Sequence, residues 1–303
     1  MAELDYSIPK KRLPPGAEVH ISDTTLRDGA QMPGIVMGEP HKLRIFDYLH
    51  QIGIEKVECF VFSEADRTIT ERMLERGYAY PRVTAWARAN KDDIDTVARV
   101  GGIDEVGILM SVSDLHIFKK IGFPDRGEAE KSYLSAFSRA LEKGLAVRCH
   151  LEDVTRSDFS GFVAPLVEKM LALAPDAIIR ICDTVGIGLP DPNMELPRGI
   201  PHLVRALKAL GVKHVETHMH DDFGNAVANS LAGFDYGADW TSAAFLGIGE
   251  RAGNAKMEEI LINLQYVEGL QNQYDLSCLT EFAGFMEREL GIAVPGNKAV
   301  IGK

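Results

Sequence analysis

Short β-branched and apolar runs alternate along this chain with amphipathic stretches, and that alternation restricts the fold more than any other feature. The runs are His20–Asp28, Lys56–Phe62, Arg82–Arg88, Glu105–Asp114, Ala146–Asp153, Ala177–Gly186, His214–Asp222 and Trp240–Gly249. Segments with helical spacing separate them, among them Lys42–Ile52, Ala129–Lys143 and Phe162–Leu173. Leu203, Ala206, Leu207 and Leu210 repeat the same 3-4 spacing before the seventh run. Eight strand-like runs, each followed by a helix, predict an α/β fold of the (β/α)8 TIM barrel type. A doubly wound open sheet is the rival. It usually carries a glycine fingerprint after its first strand, and Arg27-Asp28-Gly29-Ala30-Gln31 is not one.

The expected organisation is an N-terminal arm over residues 1–18, polar and containing Pro9, Pro14 and Pro15, then a catalytic barrel over 19–272. Residues 273–303 read as a helix, Leu279–Leu290, and the start of a linker or subdomain that is cut short at Lys303. Gly186–Pro201 holds four prolines and reads as a long loop after the sixth strand. With 46% hydrophobic and 25% charged residues the chain has the make-up of a globular enzyme. Its net charge of −11 is spread along the sequence, which argues against a nucleic-acid surface and against an anionic membrane. Cys59, Cys149, Cys182 and Cys278 form no CxxC pair and read as reduced, buried cysteines. No signal-peptide pattern and no apolar run of about 18 residues occurs, so a cytoplasmic protein is expected.

The strongest chemical motif is His218-Met219-His220-Asp221-Asp222. Side chains at i and i+2 of a strand share a face, so the two imidazoles could grip one divalent cation, or be a structural pair at a polar strand end. Asp28, at the end of another run, is the carboxylate that would complete a facial triad.

In a barrel of this type function gathers at the C-terminal ends of the strands, and polar residues collect there. They include Arg27-Asp28, Arg88, Ser111 to His116, His150 to Asp153, Asp183-Thr184, the HxH pair, and Gly249 to Asn254. Any one of them has a bland reading; Asp153 or Thr184 could simply cap the next helix. Together they favour a catalytic face. A divalent ion can chelate a 2-oxo acid and polarise its carbonyl. Arg27 can place charge where an alkoxide or enolate develops, or form a surface salt bridge. Glu152 can transfer a proton at a carbon acid, or orient a neighbour. Arg88, His116 and Thr184 supply donors suited to carboxylates, or structural hydrogen bonds. The turn Gly247–Asn254 could offer backbone amides to an anion.

Taken in order, DTTLRDGAQ (23–31), HLEDVTRSD (150–158), HMHDDFGNAVANS (218–230) and GIGERAGNA (247–255) resemble the DRE-TIM metallolyase superfamily. Within it they resemble the Claisen-condensing synthases: 2-isopropylmalate, homocitrate, citramalate and Re-citrate synthases. The resemblance runs from about Val19 to Lys303. It implies that Asp28, His218 and His220 bind Mg2+, Mn2+ or Zn2+, with Asn254 close by. It makes Arg27 the electrophilic arginine, sets Gln31 beside metal and substrate, places Glu152 in a catalytic Glu–His pair, and brings Thr184 to the 2-oxo acid. Acetyl-CoA is the implied co-substrate, and a homodimer is expected.

Tyr78-Ala79-Tyr80-Pro81, Ala85 to Asn90, SVSDLHIF (111–118) and CHLEDVTRSD (149–158) are most similar to Re-citrate synthases, which use oxaloacetate. The stretches after strands seven and eight look more like isopropylmalate synthases. Oxaloacetate giving citrate, or 2-oxoglutarate giving homocitrate, is therefore the expected reaction. 2-Isopropylmalate or citramalate synthesis is the alternative, as is a lyase or aldolase that cleaves a C–C bond. The lyase would carry a cysteine after strand eight, where GIGERAGN has none. A non-catalytic scaffold is the third reading. In these synthases a segment beyond VPGNKAVIGK carries the histidine that partners the glutamate, so residues 1–303 are expected to bind metal and 2-oxo acid but to condense acetyl-CoA slowly or not at all.

Overall fold

A computed structural model describes residue 13, residues 18–267, residue 270 and residues 273–302. Apart from positions 13 and 18, the expected N-terminal arm lies outside the described residues. The strands are β1 (His20–Asp23), β2 (Lys56–Cys59), β3 (Arg82–Arg88), β4 (Glu105–Ser111), β5 (Ala146–Glu152), β6 (Ile178–Asp183), β7 (His214–Met219) and β8 (Trp240–Ala243). All pair in parallel with their neighbours in chain order, and β8 closes onto β1 through His20↔Trp240 to Asp23↔Ala243, giving the expected closed barrel.

The helices are α1 (Glu39–Ile52), α2 (Glu64–Glu75), α3 (Lys91–Val97), α4 (Arg126–Glu142), α5 (Ala164–Leu173), α6 (Ile200–Ala209), α7 (Ala226–Asp235), α8 (Met257–Ile262) and α9 (Leu279–Leu290). Side-chain caps start several of them: Ser63 accepts from the Asp66 amide, Asn90 from Asp93 and Asp125 from Glu128. Two π-helical turns, Leu115–Ile121 and Phe159–Val163, follow β4 and precede α5. The apolar face of α9 lies on the barrel, where Phe282 stacks on Tyr48 of α1 at 4.6 Å and on Phe245 at 3.7 Å. No helix among the described residues is long and apolar enough to cross a membrane. The four cysteines are free and buried.

Alternate strand residues such as Val57, Val106, Ile108, Cys149, Ile179 and Val215 are buried in the hydrophobic core. The intervening positions face the barrel axis, and there the interior is ionic. Arg148 on β5 donates to Glu58 on β2 at 2.7 Å and to Glu105 on β4 at 2.9 Å. Arg180 on β6 donates to the same Glu58 at 3.1 Å and to Glu216 on β7 at 2.9 Å. Lys56 reaches Glu105 at 2.6 Å, and Ser22 donates to Glu216. Pairs between non-adjacent strands must cross the lumen, so these side chains fill it. Branched apolar residues usually do so. The set has four cations (Arg27, Lys56, Arg148, Arg180) and four carboxylates (Asp28, Glu58, Glu105, Glu216), none more than 6% exposed. Its formal charge cancels, which makes burial tolerable.

Candidate active site

The strands begin at the expected residues, to within one position at β6, but most end sooner. The overhang is the site. After β1 the Asp23 carboxylate accepts from the Thr25 amide at 3.0 Å, turning the chain so that Arg27 and Asp28 come over the barrel mouth. After β8 the chain turns through Leu246 and Gly247, both at positive φ (61° and 68°).

Asp28, His218 and His220 meet there, with one potential ligand atom from each lying within 4.8 Å of the others, and all three are buried. His218 Nδ1 lies 3.2 Å from Ser242 Oγ, which leaves Nε2 directed to Asp28 at 3.6 Å. Asn254 Nδ2 donates to Asp28 Oδ1 and to the Ile248 carbonyl, each at 2.9 Å. Burial pushes the His220 imidazole down to about 4, with His218 adding to the effect, and burial also lowers His218. Both rings are therefore neutral at pH 7, the form that ligates metal. Burial works against the Asp28 carboxylate, but Arg27 and the two imidazoles override it and hold its pKa well below the usual range. Two buried atoms here, His220 Nδ1 and Asn254 Oδ1, have no hydrogen-bond partner. Two neutral imidazoles, a carboxylate and an unpartnered amide oxygen are a donor set suited to a divalent cation.

Arg27 sits between two carboxylates, donating from Nη1 to Asp28 and from Nε to Glu58 at 2.8 and 2.7 Å. Glu58 joins the site to the lumen network, since it also takes Arg148 and Arg180 and lies 3.3 Å from His150 Nε2. Burial opposes its ionisation, but Arg180 and Arg27 hold its pKa well below the usual range.

Across the same cavity Glu152 ends β5. It accepts from Ser111 Oγ and from Lys120 Nζ, and His116 Nδ1 stands 3.2 Å away without hydrogen-bond alignment. Although burial works the other way, His116, Lys120 and Ser111 draw its pKa down to about 2. The other His116 nitrogen lies 3.6 Å from Asp153. The Asp153 amide donates to Thr184 Oγ1 at 2.8 Å, and Arg251 Nη2 donates to the Thr184 carbonyl.

One cavity of ≈ 640 Å³ is lined by Arg27, Asp28, His218, His220, Glu152, Thr184, Gln31 and Arg88, with Trp86, Leu109, Phe123 and Tyr133 among its apolar members. Arg88 reaches the cavity but is not a free cation: Nε and Nη2 both donate to Asp93 at 2.8 Å. Gln31 is exposed at the rim, 3.5 Å from Glu250.

Glu58 and Lys120 were not singled out from sequence, and His150 was noted only among the polar residues that end the fifth strand. Glu58 and His150 lie two residues from Lys56, Arg148 and Glu152 in strands, so period-2 charge was the available signal. Lys120 follows His116 by four residues, one turn further along the π-helical segment.

The profile of the HMGL-like family matches residues 18–286. The chain is 40% identical over 297 residues to Citrate (Re)-synthase of Clostridium kluyveri, covering 94% of this chain and 65% of that protein. It is 34% identical over 300 residues to Citrate (Re)-synthase of Syntrophus aciditrophicus, covering 95% of this chain and 47% of that protein. It thus spans between about half and two-thirds of the length of these curated relatives. Among solved structures, the HMG-CoA lyase from Brucella melitensis superposes with a TM-score of 0.74 at 20% identity, covering 91% of this chain and all of that one, a likeness of fold.

Proposed function

The chain belongs to the HMGL-like family, and from that premise we propose that it joins the acetyl group of acetyl-CoA to the keto carbon of a 2-oxo acid. Oxaloacetate, giving citrate with Re-face stereochemistry, is the proposed acceptor, because both relatives described above are named for that reaction. Asp28, His218 and His220 would hold the divalent ion, with Asn254 beside it. When bound, the ion supplies Lewis acidity toward the keto oxygen.

The observation that carries the reading is that one cavity holds both this trio and Glu152. The reaction removes a proton from the thioester methyl, forms a bond from that carbon to the keto carbon, and turns the keto oxygen into an alkoxide that takes up a proton. Hydrolysis of the thioester then releases the CoA thiol. Arg27, pinned by Glu58 and Asp28, puts fixed positive charge where the alkoxide develops. Thr184 Oγ1 already accepts from Asp153, so its own hydrogen is free for an acceptor carboxylate. Glu152 handles the methyl proton, with a basicity set by how many of its three donors stay on it. Arg88 and Lys120 both reach the cavity already paired, with Asp93 and Glu152, so either would have to leave its partner to take a second acceptor carboxylate.

A second reading has one observation behind it. The apolar group Trp86, Leu109, Phe123 and Tyr133 would suit the branched side chain of 2-oxoisovalerate. Thiol release from acetyl-CoA with oxaloacetate, 2-oxoglutarate, pyruvate and 2-oxoisovalerate decides between them. Fastest release with oxaloacetate, however slow, is the expected result; preference for 2-oxoisovalerate would favour isopropylmalate synthesis, and failure of the metal-loaded protein to bind any of the four acids would count against the reading.

A further inference from the structure

Asn254 can stand on Asp28 only if the turn after β8 keeps its shape, and that turn has an unusual anchor. The backbone runs through five positive-φ residues between Leu246 and Gly253. Gly253 packs so closely on the Gly247 carbonyl that a Cβ would lie 1.9 Å from it. The Asn254 amide donates to that carbonyl at 2.9 Å, while its side chain donates to the Ile248 carbonyl and to Asp28. Leu246 is the non-glycine residue at the head of this turn, and its amide donates at 2.9 Å to Glu258 Oε2 on α8.

Glu258 is 0% exposed, and its Oε1 has no hydrogen bond. Among the described residues one cation reaches it: Lys298, on the stretch after α9, puts Nζ 3.4 Å from Oε1 and 4.0 Å from Glu259 Oε1. Around Lys298 the stretch is bound down by its own turn bonds, Lys298 N to Pro295 O and Gly302 N to Lys298 O, and by buried Val294 and Ile301. Burial pushes the Glu258 carboxyl up and Lys298 draws it back down; by holding Oε1, the ammonium also keeps Oε2 turned to the Leu246 amide.

We propose that Lys298 is a positioning residue for the metal site, acting through Glu258 and the Leu246–Ile248 turn on Asn254 and Asp28. The proposal rests on the reading of Asp28, His218 and His220 as metal ligands. Supporting residues one step out from the ligands commonly set metal affinity by about 10–100-fold. Lys298→Met should therefore weaken Mn2+ binding about tenfold or more, measured by calorimetry on folded protein, and Lys298→Arg should retain most of the affinity. Glu258→Ala should weaken Mn2+ binding to a similar degree, and the double variant should lose little more than either single one, because both residues act through one path. Met170→Ala, in the core on α5 and away from this turn, should lower thermal stability and leave Mn2+ affinity unchanged.

Wild-type affinity in Lys298→Met, additive losses in the double variant, or an equal loss in Met170→Ala would each overturn the proposal. Absence of Mn2+ binding in the wild type would sink the metal reading itself. The clamp is then judged by amide exchange over residues 246–254, which should be slow in the wild type and faster in Lys298→Met. Equal exchange in the two would overturn it.

Discussion

Asp28 is at once a candidate ligand, an acceptor for Asn254 and a partner of Arg27, so its charge matters more than its shape. Asp28→Asn keeps the shape and removes the charge. It should abolish stoichiometric Mn2+ binding and activity together, as should His220→Ala, and full metal content in either by elemental analysis would refute the ligand assignment. Glu152 is the opposite case, a carboxylate made too weak a base by its neighbours. Its pKa lies near 2 through His116, Lys120 and Ser111 acting against burial. Removing a donor that favours the charged form raises the pKa. Lys120→Met should therefore move the acidic limb of the kcat/KM profile to higher pH, with the sharpest loss of activity at the acid end. An unshifted limb would mean that Glu152 does not carry the titrating proton.

Arg251 shows what the loops contribute as elements. It lies after β8, donates to both oxygens of Asp222 after β7 at 2.9 and 3.0 Å, and also reaches the Thr184 carbonyl after β6. Arg251→Ala should cut these ties and weaken oxaloacetate binding about tenfold, the worth of roughly one charge-assisted hydrogen bond, while Mn2+ binding changes less. Titration of the metal-loaded protein with oxaloacetate would check it. The starts of the strands were legible because β-branched runs begin abruptly at His20, Lys56, Arg82 and Trp240. Their ends were not, because Asp23 to Asp28 and Ala244 to Gly249 remain strand-like in composition while side-chain bonds and positive φ angles turn the backbone away. That Asp28, His218 and His220 come together was readable from the order and spacing of their motifs. The commitment of Arg88 to Asp93 was not, since a helix-start carboxylate five residues on looks like a cap.

At the scale of the molecule, the interior sets the response to acid. Burial, with Arg180 adding to it, drives His150 down to about 3, and burial drives His220 to about 4, from an ordinary value of 6.5. Both folded values lie below the unfolded one. Below pH 6.5 the unfolded chain therefore binds protons that the folded chain refuses, and stability contributed above that pH is lost as pH falls toward 4 and 3. Each such proton steepens the loss by about 1.4 kcal/mol per pH unit, so urea unfolding of the metal-free protein should show a clear drop between pH 7 and 5. A flat profile would mean that these rings protonate in place. Breaking the lumen network should also be costly: Arg180→Met takes a cation from both Glu58 and Glu216, leaves one buried negative charge uncompensated, and should destabilise the fold by about 3–5 kcal/mol.

That lumen also limits how such a barrel can diverge. Glu58 touches Arg27, Arg148 and Arg180 at once. Replacing Glu58 takes the shared counter-charge from three arginines, and losing any one arginine leaves the balanced interior with one excess negative charge. Drift toward an apolar interior would thus have to pass through two or more coordinated changes, with a poorly folding ancestor at every halfway point. Because the same glutamate steadies the arginine beside the metal trio, loosening the interior would disturb the chemistry before it reached a new packing. In a lineage of such barrels, Glu58, Arg148, Arg180 and Glu216 should be inherited or replaced as a block.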